Sequence, residues 1–123
     1  MDIKQLNNAA DNIRVLAATM VEKAKSGIRR CYGRSDFVNV LYSKFLISDP
    51  DDPTWFWRDR FFLDPGHMSP MLYSVLALAG KYTVEELKEF RQWGSVTPGH
   101  PEVTRREVWR TPPDRLAKDM LWL

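Results

Sequence analysis

The sequence predicts a mainly α-helical chain with one or two short strands, on three observations. Apolar residues recur at three- and four-residue spacings in several stretches, which is typical of amphipathic helices. Capping residues and glycines stand at the ends of these stretches. Only the run Arg60-Phe61-Phe62-Leu63 has the length and flanking residues of a buried strand. With 123 residues, 44% of them hydrophobic, the chain is long enough for one small domain with a core.

Two helices are predicted in the first half of the chain. Residues 11–25 carry an apolar stripe that stops before Gly27, and residues 36–47 carry a second stripe with Asp36 near the N-cap. The run Ser48-Asp49-Pro50-Asp51-Asp52-Pro53 then predicts a rigid surface loop, because its two prolines fix φ and remove backbone donors.

A strand, a turn and a helix are predicted next. The strand ends in the turn Asp64-Pro65-Gly66, and Ser69 is expected to cap the helix with Pro70 at its first position. Gly80 is expected to end this helix, since glycine favours the conformation found just past a helix C-terminus.

A fourth helix and a set of aromatic residues complete the pattern. Thr83-Val84-Glu85-Glu86 predicts a capping box that opens a short helix through Phe90, ending before Gly94. Five aromatic residues are expected to pack in the core and against another subunit rather than to bind a cofactor. They are Trp55, Phe56, Trp57, Phe61 and Phe62.

Composition and charge argue against several classes of function. The net charge is +2, so no strong general attraction to nucleic acid or to anionic membranes is expected. Cys31 is the single cysteine and has no internal disulfide partner, which fits a reducing compartment. The chain shows no apolar signal core and no bilayer-spanning run, so a cytoplasmic protein is expected. Nucleic-acid binding would depend on a modest excess of arginines, in a sequence that shows no recognisable nucleic-acid-binding fold. These arginines are Arg29, Arg30, Arg34, Arg105, Arg106 and Arg110.

The only two histidines each lie in a turn that contains glycine and proline. These turns are Asp64-Pro65-Gly66-His67-Met68-Ser69 and Thr97-Pro98-Gly99-His100-Pro101-Glu102. Taken locally, both fit ordinary loop histidines. They also fit proton-transfer or binding groups, because imidazole titrates near neutral pH and rigid turns hold it at an accessible edge.

Seven motifs follow one another along the chain from about residue 11 to residue 102. They are Ile13-Arg14-Val15-Leu16, Lys23-Ala24-Lys25-Ser26-Gly27, Trp55-Phe56-Trp57-Arg58-Asp59-Arg60-Phe61-Phe62-Leu63, Gly66-His67-Met68-Ser69, Leu72-Tyr73-Ser74, Phe90-Arg91-Gln92 and Gly94-Ser95-Val96-Thr97-Pro98-Gly99-His100-Pro101-Glu102. Taken in order, and with the spacing between them nearly kept, these motifs resemble the N-terminal end of transketolase.

The resemblance implies a fold, a reaction and roles for the histidines. It implies that the helices come from an α/β thiamine-diphosphate-binding fold, in an enzyme that moves a two-carbon ketol unit between sugar phosphates. It implies thiamine diphosphate with a divalent metal, Mg or Ca, and a homodimer. By resemblance, Gly66 and His67 lie at the cofactor, His100 contacts the substrate, and both histidines are catalytic; no metal ligand is assigned to this chain.

Two segments depart from the family pattern. Where the family has His-Pro-Gly and a small-residue turn, the chain reads Ile28-Arg29-Arg30-Cys31-Tyr32-Gly33-Arg34. After Val103 the family continues into the cofactor clamp Gly-Pro-Leu-Gly-Gln-Gly, which this chain lacks. One choice of codons for residues 111–119 encodes that clamp in another reading frame. One choice of codons for residues 30–33 likewise encodes Gly-Ala-Met-Gly in another frame. Both segments are therefore predicted to be frame-shifted transketolase sequence.

This interpretation divides the chain and its function. Residues 1–103 are predicted to be the N-terminal part of the thiamine-diphosphate-binding domain, and residues 104–123 a poorly ordered tail. Alone, the chain is expected to be inactive and not to bind the cofactor. The alternative is a small helical interaction module that docks on an intact subunit, or a fragment without function.

Overall fold

The computed structural model describes residues 2–26, 33–49, 52, 55–64 and 66–101. The elements follow one another as α1 (Ile3–Lys23), α2 (Ser35–Val40), a π-helical turn (Leu41–Phe45), a 3-10 turn (Gly66–Met68), α3 (Ser69–Leu78) and α4 (Val84–Lys88). The prediction of a mainly helical chain is confirmed. Most of the departing turn at 28–34 and all of the predicted tail at 104–123 lie outside the described residues.

Helix α1 begins eight residues before the predicted start at residue 11. A capping box begins it: the Asp2 carboxylate accepts from the Lys4 amide, and the Asp2 amide donates to Gln5 Oε1 over 3.0 Å. The helix buries one stripe that continues the predicted pattern: Ala10, Ile13, Ala17, Met20 and Val21. It ends at Lys23, and Lys25 follows in the left-handed region at φ 49°.

Helix α2 and the π-helical turn together form the helix predicted at 36–47. The Leu46 amide donates to the Leu41 carbonyl over 2.8 Å, which is the wider spacing of a π turn. Asn39 Nδ2 donates to the Leu6 carbonyl over 2.9 Å and ties α2 to α1. Arg14 also pairs with Asp36, whose hydrogen bond and negative charge raise the pKa of that guanidinium.

Helix α3 lies at the centre of the fold against α1. Eight consecutive residues, Ser69 to Leu76, are buried. The predicted end is confirmed, since Gly80 adopts φ +77°. The amides of Gly80 and Lys81 donate to the carbonyls of Ala77 and Leu76 over 2.9 and 2.8 Å, which is the Schellman arrangement.

Helix α4 begins with the predicted capping box. The Thr83 amide donates to Glu86 Oε2 over 2.8 Å, and the Glu86 amide donates to Thr83 Oγ1 over 3.2 Å. The helix ends at Lys88, two residues before the predicted Phe90. The Phe90 ring is buried and meets Tyr73 edge-on, with ring centroids 6.1 Å apart.

The prediction of a strand at Arg60–Leu63 is wrong. Among the described residues Phe62 occupies only an isolated β-bridge position. A strand needs a run of hydrogen-bonded pairs, whereas an isolated bridge pairs one residue only. Leu63 is buried, and the Phe61 ring meets Tyr42 edge-on at 5.5 Å.

The core joins α1, α2, α3 and the segment around α4. Its largest fully buried side chains include Tyr73, Ile13, Met71, Leu72 and Leu76. The expected core role is wrong for four of the five aromatic residues, because Trp55, Phe56, Trp57 and Phe62 are 37%, 70%, 75% and 37% exposed. Their packing against another subunit stays a prediction. Within the described part, no helix is both long and apolar enough to span a membrane.

Candidate functional site

His67 lies in the 3-10 turn that leads directly into α3. The turn runs from Gly66 to Met68, and Met68 is the buried N-cap of the helix. Pro70 suits the first turn of α3 because its ring presets φ and its missing amide hydrogen would find no partner there. His67 is half-buried, and the residues that follow it, Met68 to Leu76, are all buried.

Ser69 does not cap α3 as predicted; it anchors the His100 loop. Ser69 is the first helical residue and has no solvent exposure. Its Oγ donates to the Gly99 carbonyl over 2.7 Å, and the Tyr73 hydroxyl, one turn further along, donates to the Pro98 carbonyl over 2.8 Å. Two buried hydroxyls on α3 therefore hold the two residues that precede His100.

Thr97 fixes the other end of the same loop. The residue is fully buried, and its Oγ1 donates to the Glu86 carbonyl over 3.0 Å. Its carbonyl accepts from the Arg91 amide over 3.0 Å. The loop from Thr97 to His100 is thus bonded to both α3 and the α4 segment.

The two histidine turns meet at Gly66. A Cβ atom placed on Gly66 would lie 2.9 Å from His100 Cδ2 and 3.7 Å from His100 Cγ. The imidazole of His100 therefore lies against the backbone that immediately precedes His67, at a distance only glycine permits. His100 is exposed and His67 is half-buried, so the edge that they form is open to solvent.

An apolar groove of about 250 Å³ runs beside the His67 turn. Asp64 and Met68 line it on the side of that turn, and Arg34 and Phe37 line the opposite side. A second groove of about 530 Å³ lies between α1, α2 and α3 and is lined by amides such as Asn8 and Asn12. Neither histidine lines either groove.

The chemistry available at this edge is that of two imidazoles. Each imidazole ring has one nitrogen that donates and one that accepts a hydrogen bond. In the part of the chain that the structure describes, no three His, Cys, Asp or Glu side chains are grouped so as to hold a metal ion. The edge therefore suits proton transfer and hydrogen bonding to a polar ligand.

The fold and the two histidine turns agree with a family match that covers most of the chain. Residues 5–113 match the family described as transketolase, thiamine diphosphate binding domain. Curated relatives include the Geobacillus stearothermophilus transketolase, 48% identical over 96 residues, and the Escherichia coli transketolase 2, 50% identical over 105 residues. These alignments cover 76% and 84% of this chain but only 14% and 15% of the relatives.

Solved structures give the same answer. The Leishmania mexicana transketolase superposes with a TM-score of 0.74 at 40% identity, over 79% of this chain and 15% of that one. The Campylobacter jejuni enzyme also reaches 0.74, at 47% identity, over 83% and 16%. The chain has the helical start of a thiamine-diphosphate-binding domain. It belongs to the transketolase family, which confirms the resemblance seen in its sequence.

Sequence reasoning missed the residues that bring the histidines together. Ser69 was interpreted as a helix cap, although its hydroxyl serves the His100 loop. Phe90-Arg91-Gln92 contributed to the family resemblance without a role, yet Arg91 contacts that loop from the other side. A capping pattern shows only local bonds, so no sequence signal indicated either long-range contact.

Proposed function

We propose that Gly66, His67 and His100 form one wall of a transketolase active site, in an enzyme that transfers a two-carbon ketol unit between sugar phosphates. The observation that carries this proposal is the close approach of the His100 ring to Gly66. It brings together two histidines that are distant in the sequence, at a solvent-accessible edge of a transketolase fold.

The exposure of the two side chains supports their division of roles. His67 is half-buried and held at the start of α3, which suits contact with a bound cofactor that must not move. His100 is exposed, which suits contact with a substrate that enters and leaves. An imidazole placed beside a substrate both donates to and accepts from its hydroxyls as charge develops on them.

The described residues fit only part of a thiamine diphosphate site. When bound, this cofactor supplies the nucleophilic carbon and the electron sink for ketol transfer. Two imidazoles and the Gly66 backbone fit a wall beside it. Among the described residues, no three His, Cys, Asp or Glu side chains are grouped so as to hold a metal ion. We propose that other parts of a whole transketolase hold the diphosphate and its Mg or Ca ion. We also propose that the chain as given is inactive and does not bind the cofactor.

The remaining features of the proposal follow from family membership. We propose a homodimer, sugar phosphates as substrates, a place in the pentose phosphate pathway, and a cytoplasmic location without nucleic-acid or membrane partners. The chain spans about 15% of the length of the relatives that it matches, so these features belong to a whole enzyme of this family.

A graft into a complete relative tests the active-site proposal. Residues 35–101 of this chain would replace the equivalent residues of the Campylobacter jejuni transketolase, and ketol transfer would be measured. His67→Ala and His100→Ala should each lower kcat/KM at least tenfold, since positioned acid–base groups contribute about 10²- to 10⁴-fold. Lys44→Ala, an exposed residue of the π-helical turn, serves as the matched control. Histidine variants as active as this control would refute the proposal.

An interaction module is the second candidate function. It is favoured by the aromatic side chains of Phe56 and Trp57, which are largely exposed and contact each other edge-on at 5.0 Å. Such a module would bind an intact transketolase subunit. Sedimentation of the chain mixed with the Campylobacter jejuni enzyme tests this, and Phe56→Ser with Trp57→Ser should abolish any complex. A complex unaffected by these changes, or no complex at all, would exclude the surface.

A further inference from the structure

Arg91 has an unusual backbone and is held by the loop that leads to His100. Its φ is +62°, a conformation that residues with a side chain rarely adopt. The Arg91 amide donates to the Thr97 carbonyl over 3.0 Å, which closes the chain between α4 and the loop. This hydrogen bond holds the Arg91 backbone, and with it the Cβ end of the Arg91 side chain, beside the loop from Thr97 to His100.

The Arg91 side chain joins two segments that are far apart in sequence. Its Nη1 donates to Ser26 Oγ over 2.7 Å, just beyond the end of α1. Its Nε and Cζ atoms lie against Gly99, where an added Cβ would be 2.9 Å and 3.3 Å away from them. The planar guanidinium is thereby held between Ser26, three residues past the end of α1, and Gly99, the residue before His100.

A continuous series of contacts results. Ser26 bonds to Arg91, Arg91 lies against Gly99, and the next residue, His100, lies against Gly66. Both glycine contacts are too close for a side chain. Ser69 Oγ holds the Gly99 carbonyl, and the guanidinium packs on the Cβ side of Gly99. Movement of the guanidinium would therefore free one side of Gly99 and give the His100 ring room to leave Gly66.

We propose that Arg91 is a positioning residue that holds the His100 imidazole against Gly66, and so sets its place relative to His67. It acts through Gly99 and does not contact a substrate. Its catalytic consequence rests on the function proposed above, whereas the geometric claim stands on the contacts alone.

Proton NMR of the full chain tests the geometry directly. The Gly66 Hα that occupies the Cβ direction should give a strong nuclear Overhauser effect to His100 Hδ2. With only two histidines, His67→Gln and His100→Gln assign the imidazole signals. Arg91→Ala should reduce this effect at least threefold, while Arg91→Lys, which keeps a donor for Ser26, should retain more than half of it. Lys88→Ala, an exposed cation of α4, is the matched control and should leave it unchanged.

A second variant covers the case in which Arg91→Ala does not fold. The ring contact between Tyr73 and Phe90 reports whether the core is intact. Ser26→Ala removes only the acceptor of the guanidinium and should also weaken the Gly66–His100 effect with that core contact unchanged. An unchanged effect in a folded Arg91→Ala or Ser26→Ala chain, or its absence from the unsubstituted chain, would overturn the proposal.

Two failures can be told apart. If the histidine variants of the grafted enzyme stay active while Arg91→Ala still releases His100, the proposed function is wrong and the positioning role stands. If the histidine variants lose activity while Arg91→Ala leaves the Gly66–His100 effect intact, the positioning role is wrong.

Discussion

At the scale of single residues, the site depends as much on two glycines, which have no side chain, as on the side chains that pack against them. Gly66 and Gly99 each allow another residue to approach their backbone more closely than a methyl group would permit. The sequence showed both glycines next to histidines and predicted turns. It could not show that their value lies in contacts with His100 and Arg91, because these contacts arise only when the loop docks on α3.

Gly66→Ala tests the closest of these approaches. The new methyl group would lie 2.9 Å from His100 Cδ2, so the imidazole must shift. We expect the free energy of unfolding to fall by about 1–2 kcal/mol, as for modest overpacking, measured by urea denaturation. Gly33→Ala is the control, since no atom of the described residues lies within 4 Å of its added Cβ. Equal free energies of unfolding for the two variants would show that the His100 loop moves away from the new methyl group without loss of stability.

At the scale of elements, local signals predicted the end of α3 and the start of α4 but missed other helix ends. The capping box at Thr83 and the terminal Gly80 are formed as predicted, because each involves residues close together in sequence. Helix α1 was predicted too short, since the weak apolar stripe before Ala10 hid the capping residues Asp2 and Gln5. The predicted strand at 60–63 depended on neighbours that no local pattern can supply.

Asp2→Ala tests the cap of α1. The carboxylate satisfies an amide at the start of the helix, so its loss should cost about 1 kcal/mol of stability and expose the first turn. Amide hydrogen exchange should become faster at residues 3–6 and stay unchanged beyond Ile13. Asn7→Ala, an exposed change within the same helix, should not have this effect. Unchanged exchange in Asp2→Ala would mean that packing alone begins the helix.

At the scale of the whole molecule, the packing of α3 on α1 holds the histidine edge in place. Leu72 is fully buried in α3, whereas Leu78 at its end is 47% exposed. Leu72→Ala should lower the free energy of unfolding by about 2–5 kcal/mol through lost burial and an internal cavity. Leu78→Ala should cost clearly less. Thermal unfolding measures both, and similar losses would contradict the assignment of α3 as the central helix.

The two segments that depart from the family pattern lead to a prediction about the gene that encodes the chain. The family match covers residues 5–113, so it includes the departing turn at 28–34. We propose that single-base losses or gains displaced the reading frame there and after Val103. Resequencing of independent material across the codons for Gly27–Asp36 and from Glu102 onward should restore the small-residue turn and Gly-Pro-Leu-Gly-Gln-Gly. An unchanged sequence would refute the frame shifts and leave a divergent chain.

The most direct test of the account is a double-mutant cycle on His67 and His100 in the grafted enzyme. Two residues that act in one site lose less together than the product of their separate losses, because removing the first already disables the second. We predict that His67→Ala and His100→Ala each reduce kcat/KM at least tenfold and that the double variant falls well short of the multiplied loss. Multiplicative losses, or no loss for either histidine, would contradict the claim that the two turns form one wall of an active site.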